Sequence, residues 1–548
     1  MNVTMSTVAP SAFAWGVEIG RRRDGAIPFL MYTPRRRHVV ELLDDVARWT
    51  GRTLVVHGER RVRTEQFLGA VVELTQRLVE RGIGPGDRVL LLAPNSPEWM
   101  VTFWAVAATG AVVVPGNGWW SAEEIAHAVA LVEPELVVCD LGRRSRLDPT
   151  LRRLPIEDVR KIVDHAPPSA RPPALVPGHE DDPAVIVFTA GTSGPAKGAV
   201  LPHRSIIANL HNLLAASKRL PHTLPTDSTG QVSLHTFPLF HIGGIQVMCF
   251  SLLTGGTMVF LEGRFEAGKV LDLIDRERVN LWGAIPTMAI RVLDDPSLST
   301  RDLSSLRSLS LGGSPVSAEL VTRLREAFPN LSRGVSANYG MTEAGGSVAS
   351  AAAAVMAEHP GSSGRPFPVV ELRIDRPDDE GVGEILVRCP GQMLGYWGDD
   401  NDSPIDHEGF LRTGDLGRMQ DGLLWVVGRS KDVIIRGGEN VAAAHVESVL
   451  LAHPATAEVA VIGVPHAEWG EEVAAVVVPR TGREAIGVEL TNFASARLAH
   501  YEVPAHWWIR TDPLPVNAAG KVDKRTLAAQ WAAHHASCQD NDNTEVSG

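Results

Sequence analysis

Val185-Ile186-Val187-Phe188-Thr189-Ala190-Gly191-Thr192-Ser193-Gly194-Pro195-Ala196-Lys197-Gly198 is the stretch on which the reading of this chain turns. The apolar run Val185–Phe188 reads as a buried strand, and a loop rich in glycine and hydroxyls follows it directly. Gly191, Gly194 and Gly198 allow a backbone to fold closely round an anion. Thr189, Thr192 and Ser193 add donors, and Lys197 supplies charge. Such a loop suits a polyphosphate. It is not a Walker loop, because Ala196 precedes the lysine and Gly198 replaces the metal-binding hydroxyl. Taken alone, a flexible surface loop is the competing reading.

Upstream, Thr64 can cap a helix whose apolar positions Phe67, Leu68, Val71, Leu74 and Leu78 recur at helical spacing, with Gly82 as the stop. A strand is expected at Val89–Leu92, then an apolar helix from Trp99 and a second strand at Val112–Val114. Ser121 and Glu124 form a capping box for the next helix, and Leu136–Val138 reads as a further strand. Strands alternating with helices imply a mostly parallel, doubly wound α/β sheet, and a second such region is expected from about Val185 to Tyr339. After about residue 365, short runs such as Glu384–Val387 and Leu424–Val427 between Gly, Asp and Pro turns predict a small β subdomain. The glycine- and charge-dense stretch Gly428–Gly438 reads as a boundary. A small α+β unit follows, with a helix near Val446–Leu451 and strands near Val459–Val464 and Val473–Val478.

The chain has 548 residues, 44% apolar and 21% charged, ordinary values for a globular protein with several units. Its formal charge of −12 argues against a general nucleic-acid binder. The four cysteines, Cys139, Cys249, Cys389 and Cys538, are far apart, which excludes a zinc ribbon and predicts a reducing compartment, most simply the cytoplasm. Arg21, Arg22 and Arg23 are followed by no apolar core of signal-peptide length. Met100–Val114 falls short of the ~20 residues of a membrane span and reads as a buried helix running into a strand. Of 52 basic residues only seven are lysine, so Lys197, Lys431 and Lys521 stand out in a chain that writes positive charge as arginine.

The glycine loop resembles the phosphate loop of the adenylate-forming (ANL) superfamily: acyl-CoA synthetases, aryl-CoA ligases, luciferases and the adenylation domains of peptide synthetases. The resemblance continues in order from about residue 40 to 530. Gly86-Asp87-Arg88-Val89 with Pro94-Asn95-Ser96-Pro97-Glu98-Trp99 looks like the first signature block, and Pro238-Leu239-Phe240-His241 like the fourth. Gly312-Gly313-Ser314-Pro315 looks like the turn lining the acyl site. Tyr339-Gly340-Met341-Thr342-Glu343, Arg412-Thr413-Gly414-Asp415, Gly428-Arg429-Ser430-Lys431-Asp432 and Pro513–Lys521 complete the set.

What the resemblance implies is specific. ATP, Mg²⁺ and CoA are the expected cofactor and cosubstrates, and a small carboxylic acid is the partner. Thr189, Gly191, Thr192, Ser193, Gly194 and Lys197 would hold the β- and γ-phosphates. Thr342 would contact the α-phosphate, Glu343 would bind Mg²⁺, and Tyr339 would lie on the adenine. Asp415, helped by Arg429, would take the ribose hydroxyls, although an aspartate after glycine is a turn residue by default. Lys521 would reach the α-phosphate and carboxylate oxygens. Gly312 and Gly313 would line the acyl site, and His241 would gate it. Lys431 would be the hinge of a mobile C-terminal domain whose rotation brings Gly437 and Gly438 to the thiol passage. The implied organisation is a flexible segment 1–30, an AMP-binding domain 31–428, a C-terminal domain 429–534 and a disordered tail 535–548.

The expected reaction is AMP-forming acid–thiol ligation. Amino acids are disfavoured, because Phe240-His241-Ile242-Gly243-Gly244-Ile245 offers no carboxylate for a substrate ammonium. A fatty or other apolar monocarboxylate is expected because few charged side chains fall in the pocket segments. An aryl-CoA ligase and an acyl-AMP ligase loading a carrier protein are the alternatives, and a non-catalytic nucleotide-binding scaffold is the rival from another class. Three departures from the family pattern stand out: Ala190 in place of a common serine, Ala196 between Pro195 and Lys197, and Ala443 and His445 where a proline and a glutamate are expected.

Overall fold

The computed structural model describes residues 13–22, 25, 27–174, 176–189, 196–227, 229–312, 316, 318–331, 334–399, 403–436, 439–466, 468–480, 482–483, 487–517 and 521–531. Gly191, Thr192, Ser193, Gly194, Gly313, Gly437 and Gly438 lie outside the described residues, as does the tail from 532.

The expected alternation of strands and helices is present, and it builds two large sheets. The smaller has six strands in the order Lys197–Pro202, Pro183–Thr189, Val112–Pro115, Arg88–Leu92, Leu136–Cys139 and Arg153–Pro155. The larger has nine, and its central strands Val335–Met341, Ser308–Gly312, Leu281–Ala284, Val232–His235, Thr257–Phe260 and Thr53–His57 all run parallel. Membership of the sheets departs from chain order. The strand Pro183–Thr189 joins the earlier strands, and the hairpin Thr53–His57/Arg60–Arg63 closes the far edge of the larger sheet. Crossover connections let a strand dock far from its chain neighbours, so this partition is set by packing.

Between the sheets lies one apolar core shared by both. The helix Pro97–Ala108 is buried on every face, which explains its near-unbroken apolar sequence. Ser96 caps it by accepting a hydrogen bond from the Trp99 amide (3.2 Å). Helices His203–Ala216 and Ile242–Leu253 fill the same layer. Helix Ala122–Val132 covers the outside of the smaller sheet, and Ala267–Arg276, Pro286–Leu293 and Ala318–Ala327 cover the outside of the larger.

The Ser121–Glu124 capping box forms as expected. The helix Thr64–Glu80 instead has Arg63 at its N-cap, with Thr64 already inside the first turn. The β subdomain is a four-stranded antiparallel sheet, Glu371–Asp375, Gly383–Arg388, Leu411–Gln420 and Leu423–Arg429. No spacer follows it: a single turn, Ser430–Asp432, leads straight into Val433–Arg436 of the C-terminal sheet. That sheet pairs Gly470–Pro479 with Thr456–His466 and His506–Ile509 and has its own apolar cores on both faces.

The N-terminal stretch, expected to be flexible, is structured where it is described. Glu18–Arg21 pairs with Leu30–Thr33, and Trp15 is buried against His211. Arg22 donates to Asp181 at 2.6 and 3.0 Å. An aromatic anchor and a buried ion pair hold this segment, and neither produces a periodic pattern.

Candidate active site

The C-terminal ends of parallel strands in both sheets point into one cleft of about 2190 Å³ between the N-terminal body and the C-terminal unit. Ligands of open α/β sheets bind at such edges. Thr189 ends its strand there, and Gly312 and Tyr339 lie at or near the ends of neighbouring strands of the larger sheet.

Tyr339, Asp415 and Arg429 form the firmest cluster. Asp415 and Arg429 are cross-strand partners in the antiparallel β subdomain. The Tyr339 hydroxyl donates to Asp415 Oδ2 (2.8 Å), and Arg429 Nε lies 3.2 Å from Asp415 Oδ1. Burial, followed by the neighbouring Asp415 charge, holds the Tyr339 hydroxyl well above its ordinary pKa, so it stays a donor. The three blocks named from sequence therefore meet, and Asp415 is oriented from two sides.

Glu343 sits in the turn Thr342–Ala344 immediately after the strand Val335–Met341. Its carboxylate accepts a hydrogen bond from the Tyr396 hydroxyl (3.0 Å). Lys197 Nζ pairs with Asp399 Oδ2 (3.1 Å) and lies 4.8 Å from the centroid of the Tyr396 ring. Sequence reading missed Tyr396 and Asp399. Only their nearness in the fold connects the phosphate-loop lysine with the Glu343 turn. His127 was missed as well; its Nε2 lies 3.0 Å from the carbonyl of Ala196, the residue before Lys197.

Lys521 reaches this centre from the C-terminal unit. Asn517 and Lys521 close a tight loop: Asn517 N donates to Lys521 O (2.8 Å) and Lys521 N donates to Asn517 Oδ1 (3.1 Å). The ammonium is open to the water of the cleft but ringed by protein. That desolvation, reinforced by Arg429, lowers its pKa, while Asp415 and Glu343 pull the other way. Lys521 is therefore in electrostatic reach of the residues with which sequence reading grouped it. Nearby, Lys524 Nζ pairs with Glu447 Oε1 (2.7 Å), and the same oxygen accepts from the Val461 amide (2.8 Å). Burial raises the Glu447 pKa against these stabilising partners.

His241 is the N-cap residue of helix Ile242–Leu253, and its ring packs at 4.5 Å on Phe240. Burial, with the Lys521 charge adding to it, brings its pKa down to about 4, so it is neutral at physiological pH. Lys431 lies in the turn Ser430–Asp432, where Ser430 Oγ donates to the Gly414 carbonyl (3.0 Å).

Among the described residues no group of three or more metal-ligating side chains converges. Mg²⁺ commonly takes one or two carboxylates and completes its shell with water and substrate phosphates. Glu343, with the Thr342 hydroxyl beside it in sequence, is a donor set of that kind. No helix among the described residues is long and apolar enough to cross a membrane.

The small C-terminal unit thus presents Lys521 to the cleft that Tyr339, Asp415 and Arg429 also line. The chain belongs to the AMP-binding enzyme family, whose model matches residues 42–397, and the AMP-binding enzyme C-terminal domain matches 445–521. It is an acid–thiol ligase of the AMP-forming class. It is 35% identical over 492 residues to a feruloyl-CoA synthase of Amycolatopsis sp, across 86% of this chain and 94% of that protein. An indoleacetate–CoA ligase of Aromatoleum aromaticum is 33% identical over 507 residues, with 88% and 96% covered. ATP-bound MatB from Rhodopseudomonas palustris superposes with a TM-score of 0.78 at 28% identity, over 90% of this chain and 99% of that one.

Proposed function

We propose that the chain activates an uncharged-bodied monocarboxylic acid with ATP and passes the acyl group to CoA, using the residues assembled in the cleft. A carboxylate is a poor electrophile. Its oxygen therefore attacks the α-phosphorus of ATP, the bond to the β-phosphate oxygen breaks, and pyrophosphate leaves. The CoA sulfur then bonds to the acyl carbon, the acyl–phosphate C–O bond breaks, AMP leaves, and the thiol proton goes to solvent.

Charge builds on the phosphoryl oxygens in the first step, so cations aimed there act on the transition state. Lys521 supplies that charge, and its place in the cleft lined also by Tyr339, Asp415 and Arg429 is the observation that carries the reading. Asp415, held by Tyr339 and Arg429, accepts hydrogen bonds from the ribose. Thr189, Lys197 and the loop 190–195 take the outer phosphates, and Thr342 contacts the inner one. Mg²⁺ at Glu343 would offset phosphate charge. Gly312 and the adjoining Gly313 border the acyl group.

For the second step the C-terminal unit turns about Lys431, Lys521 withdraws, and the segment containing Gly437 and Gly438 approaches. His241, neutral and packed at a tilt on Phe240, gates the passage between acyl group and thiol. We place the domain boundary at 428/429, at the end of the strand Leu423–Arg429 and just before the single turn Ser430–Asp432 between two sheets. The aryl acids in the names of the two relatives above support the aryl alternative, and a long-chain-fatty-acid–CoA ligase of Bacillus subtilis, 28% identical over 561 residues, supports the fatty acid.

The test is acid-dependent pyrophosphate release across a panel of aryl and alkyl acids, followed by detection of the thioester with free CoA. Release with no thioester would point to a carrier protein as acceptor. No release with any acid would sink the reading.

A further inference from the structure

The turn that carries Glu343 is held by one short segment, 389–399. Met393 N donates to the Glu343 carbonyl (2.8 Å), and the Tyr396 hydroxyl donates to the Glu343 carboxylate (3.0 Å). Backbone and side chain of the same residue are thus fixed by the same stretch of chain. Contact behind the turn is tighter still. Gly345 has a φ of 74°, and a methyl group built on it would fall 2.0 Å from the Gly391 carbonyl oxygen. One built on Gly391 would fall 2.6 Å from the Ala344 carbonyl oxygen. Two backbones in such contact have no flexible side chain between them to absorb a shift, so a displacement of 389–393 is passed to Glu343.

What fixes 389–393 lies on its far side. The Pro390 carbonyl accepts from Arg204 Nη1 and the Gly391 carbonyl from Ser205 Oγ, both at the start of helix His203–Ala216. A cation in the first turn of a helix opposes the helix dipole, so local preference does not account for Arg204. Its guanidinium is buried, and its Nε donates to Asp181 Oδ1 (2.7 Å).

Asp181 is shared with the N-terminal arm, whose strands Glu18–Arg21 and Leu30–Thr33 pair. Its two oxygens accept from Arg22 at 3.0 and 2.6 Å. Phe29 of the same arm lies with its ring centroid 4.6 Å from the Arg204 guanidinium carbon. Burial opposes the Asp181 charge, but hydrogen bonds from the two guanidiniums prevail and bring its pKa down to about 2. Arg22, Asp181 and Arg204 therefore stand in series between the arm and the back of the Glu343 turn. A planar guanidinium serves Asp181 through one nitrogen and the Pro390 carbonyl through another, in fixed directions. A lysine ammonium would keep the charge and lose that geometry.

Resting on the assignment of Glu343 to Mg²⁺ above, we infer that Arg204 is a positioning residue for the Glu343 carboxylate, and that the N-terminal arm sets it through Arg22 and Asp181. None of the arm's described residues lines the cleft, so the arm acts on nucleotide binding from behind.

The test is calorimetry of ATP binding to the full-length protein with and without Mg²⁺, beside thermal unfolding. The readout is the factor by which Mg²⁺ tightens ATP. Glu343→Gln should bring that factor toward one. Arg204→Lys should reduce it by ~5-fold or more, the scale of one charge-assisted hydrogen bond at a buried site. Arg22→Ala, more remote, should reduce it by ~3-fold, and KM for ATP should rise while KM for the acid holds. This second variant keeps the test open should Arg204→Lys fold poorly. In the Glu343→Gln background Arg22→Ala should change nothing further, since its effect passes through the missing carboxylate. A merely structural role would lower the Tm of the arginine variants and leave the Mg²⁺ factor at its wild-type value, which would overturn the inference alone. A wild-type factor in Glu343→Gln would instead overturn the metal assignment on which it rests.

Discussion

The role proposed for Lys521 rests on position and charge, and both are measurable. A contact made mainly in the transition state should affect kcat far more than nucleotide affinity. Lys521→Ala is expected to slow acid-dependent pyrophosphate release by ~100-fold or more, while ATP binding measured by calorimetry changes by no more than about threefold. The lowered pKa gives a second handle. The protonated form is the useful one, so adenylation should decline on an alkaline limb that begins below the ordinary lysine value of about 10.4. A pH profile of the first half-reaction, flat well past that value, would contradict the assigned role. Tyr339→Phe removes one of the two groups that orient Asp415, and AMP affinity should fall by ~1 kcal/mol, read as a roughly fivefold rise in Kd.

Elements carry these residues only as well as their own packing allows. The loop Asn517–Lys521 is braced from behind by Lys524 on Glu447, with Glu447 also accepting from the Val461 amide. Glu447→Ala leaves Lys524 and that amide without their carboxylate. Because the pair is only partly enclosed, we expect a loss of about 1–3 kcal/mol, seen as a lower Tm of the C-terminal unit, together with slower adenylation. The central helix Pro97–Ala108 is the opposite case, since it touches no substrate and every face is packed. Phe103→Ala should cost ~3–5 kcal/mol in chemical denaturation. Its near-continuous apolar sequence makes that burial legible from the residues alone. The phosphate-loop strand, the Ser121–Glu124 box and the β subdomain are legible for the same reason, because each writes its periodicity or its turn residues locally. The cap at Arg63 is not, because Thr64 is equally suited to a cap and to a first turn.

Across the whole molecule, burial of neutral histidines should govern acid stability. His203 and His235 are pushed down to about 3, His211 and His241 to about 4, with desolvation the leading cause at each. Unfolding returns them to an ordinary value near 6.5, where they take up protons that the folded state refuses. Stability contributed by their neutrality is therefore complete above pH ~6.5 and is lost as pH falls toward the folded values. At pH 5 each still-neutral histidine costs the fold about 2 kcal/mol relative to neutral pH. The midpoint of urea unfolding should drop steeply between pH ~6.5 and ~5, and His235→Gln should flatten that slope. An unchanged midpoint over that interval would show that these rings do not titrate as described.

The amino-acid sequence alone determined the class of this protein, because the chemistry of adenylation demands particular residue types in short runs: a hydroxyl-rich glycine loop, a Thr-Glu pair after a strand, a Gly-Asp turn and a late lysine. It also determined the alternation of strands and helices, since periodicity is a local property. Tertiary structure decided which strands share a sheet, that Tyr396 and Asp399 join Lys197 to Glu343, and that Arg22 and Arg204 meet on Asp181. Those residues come from distant parts of the chain. Which side chains meet across such distances is set by how the elements dock, and docking is fixed by the packing of the whole core.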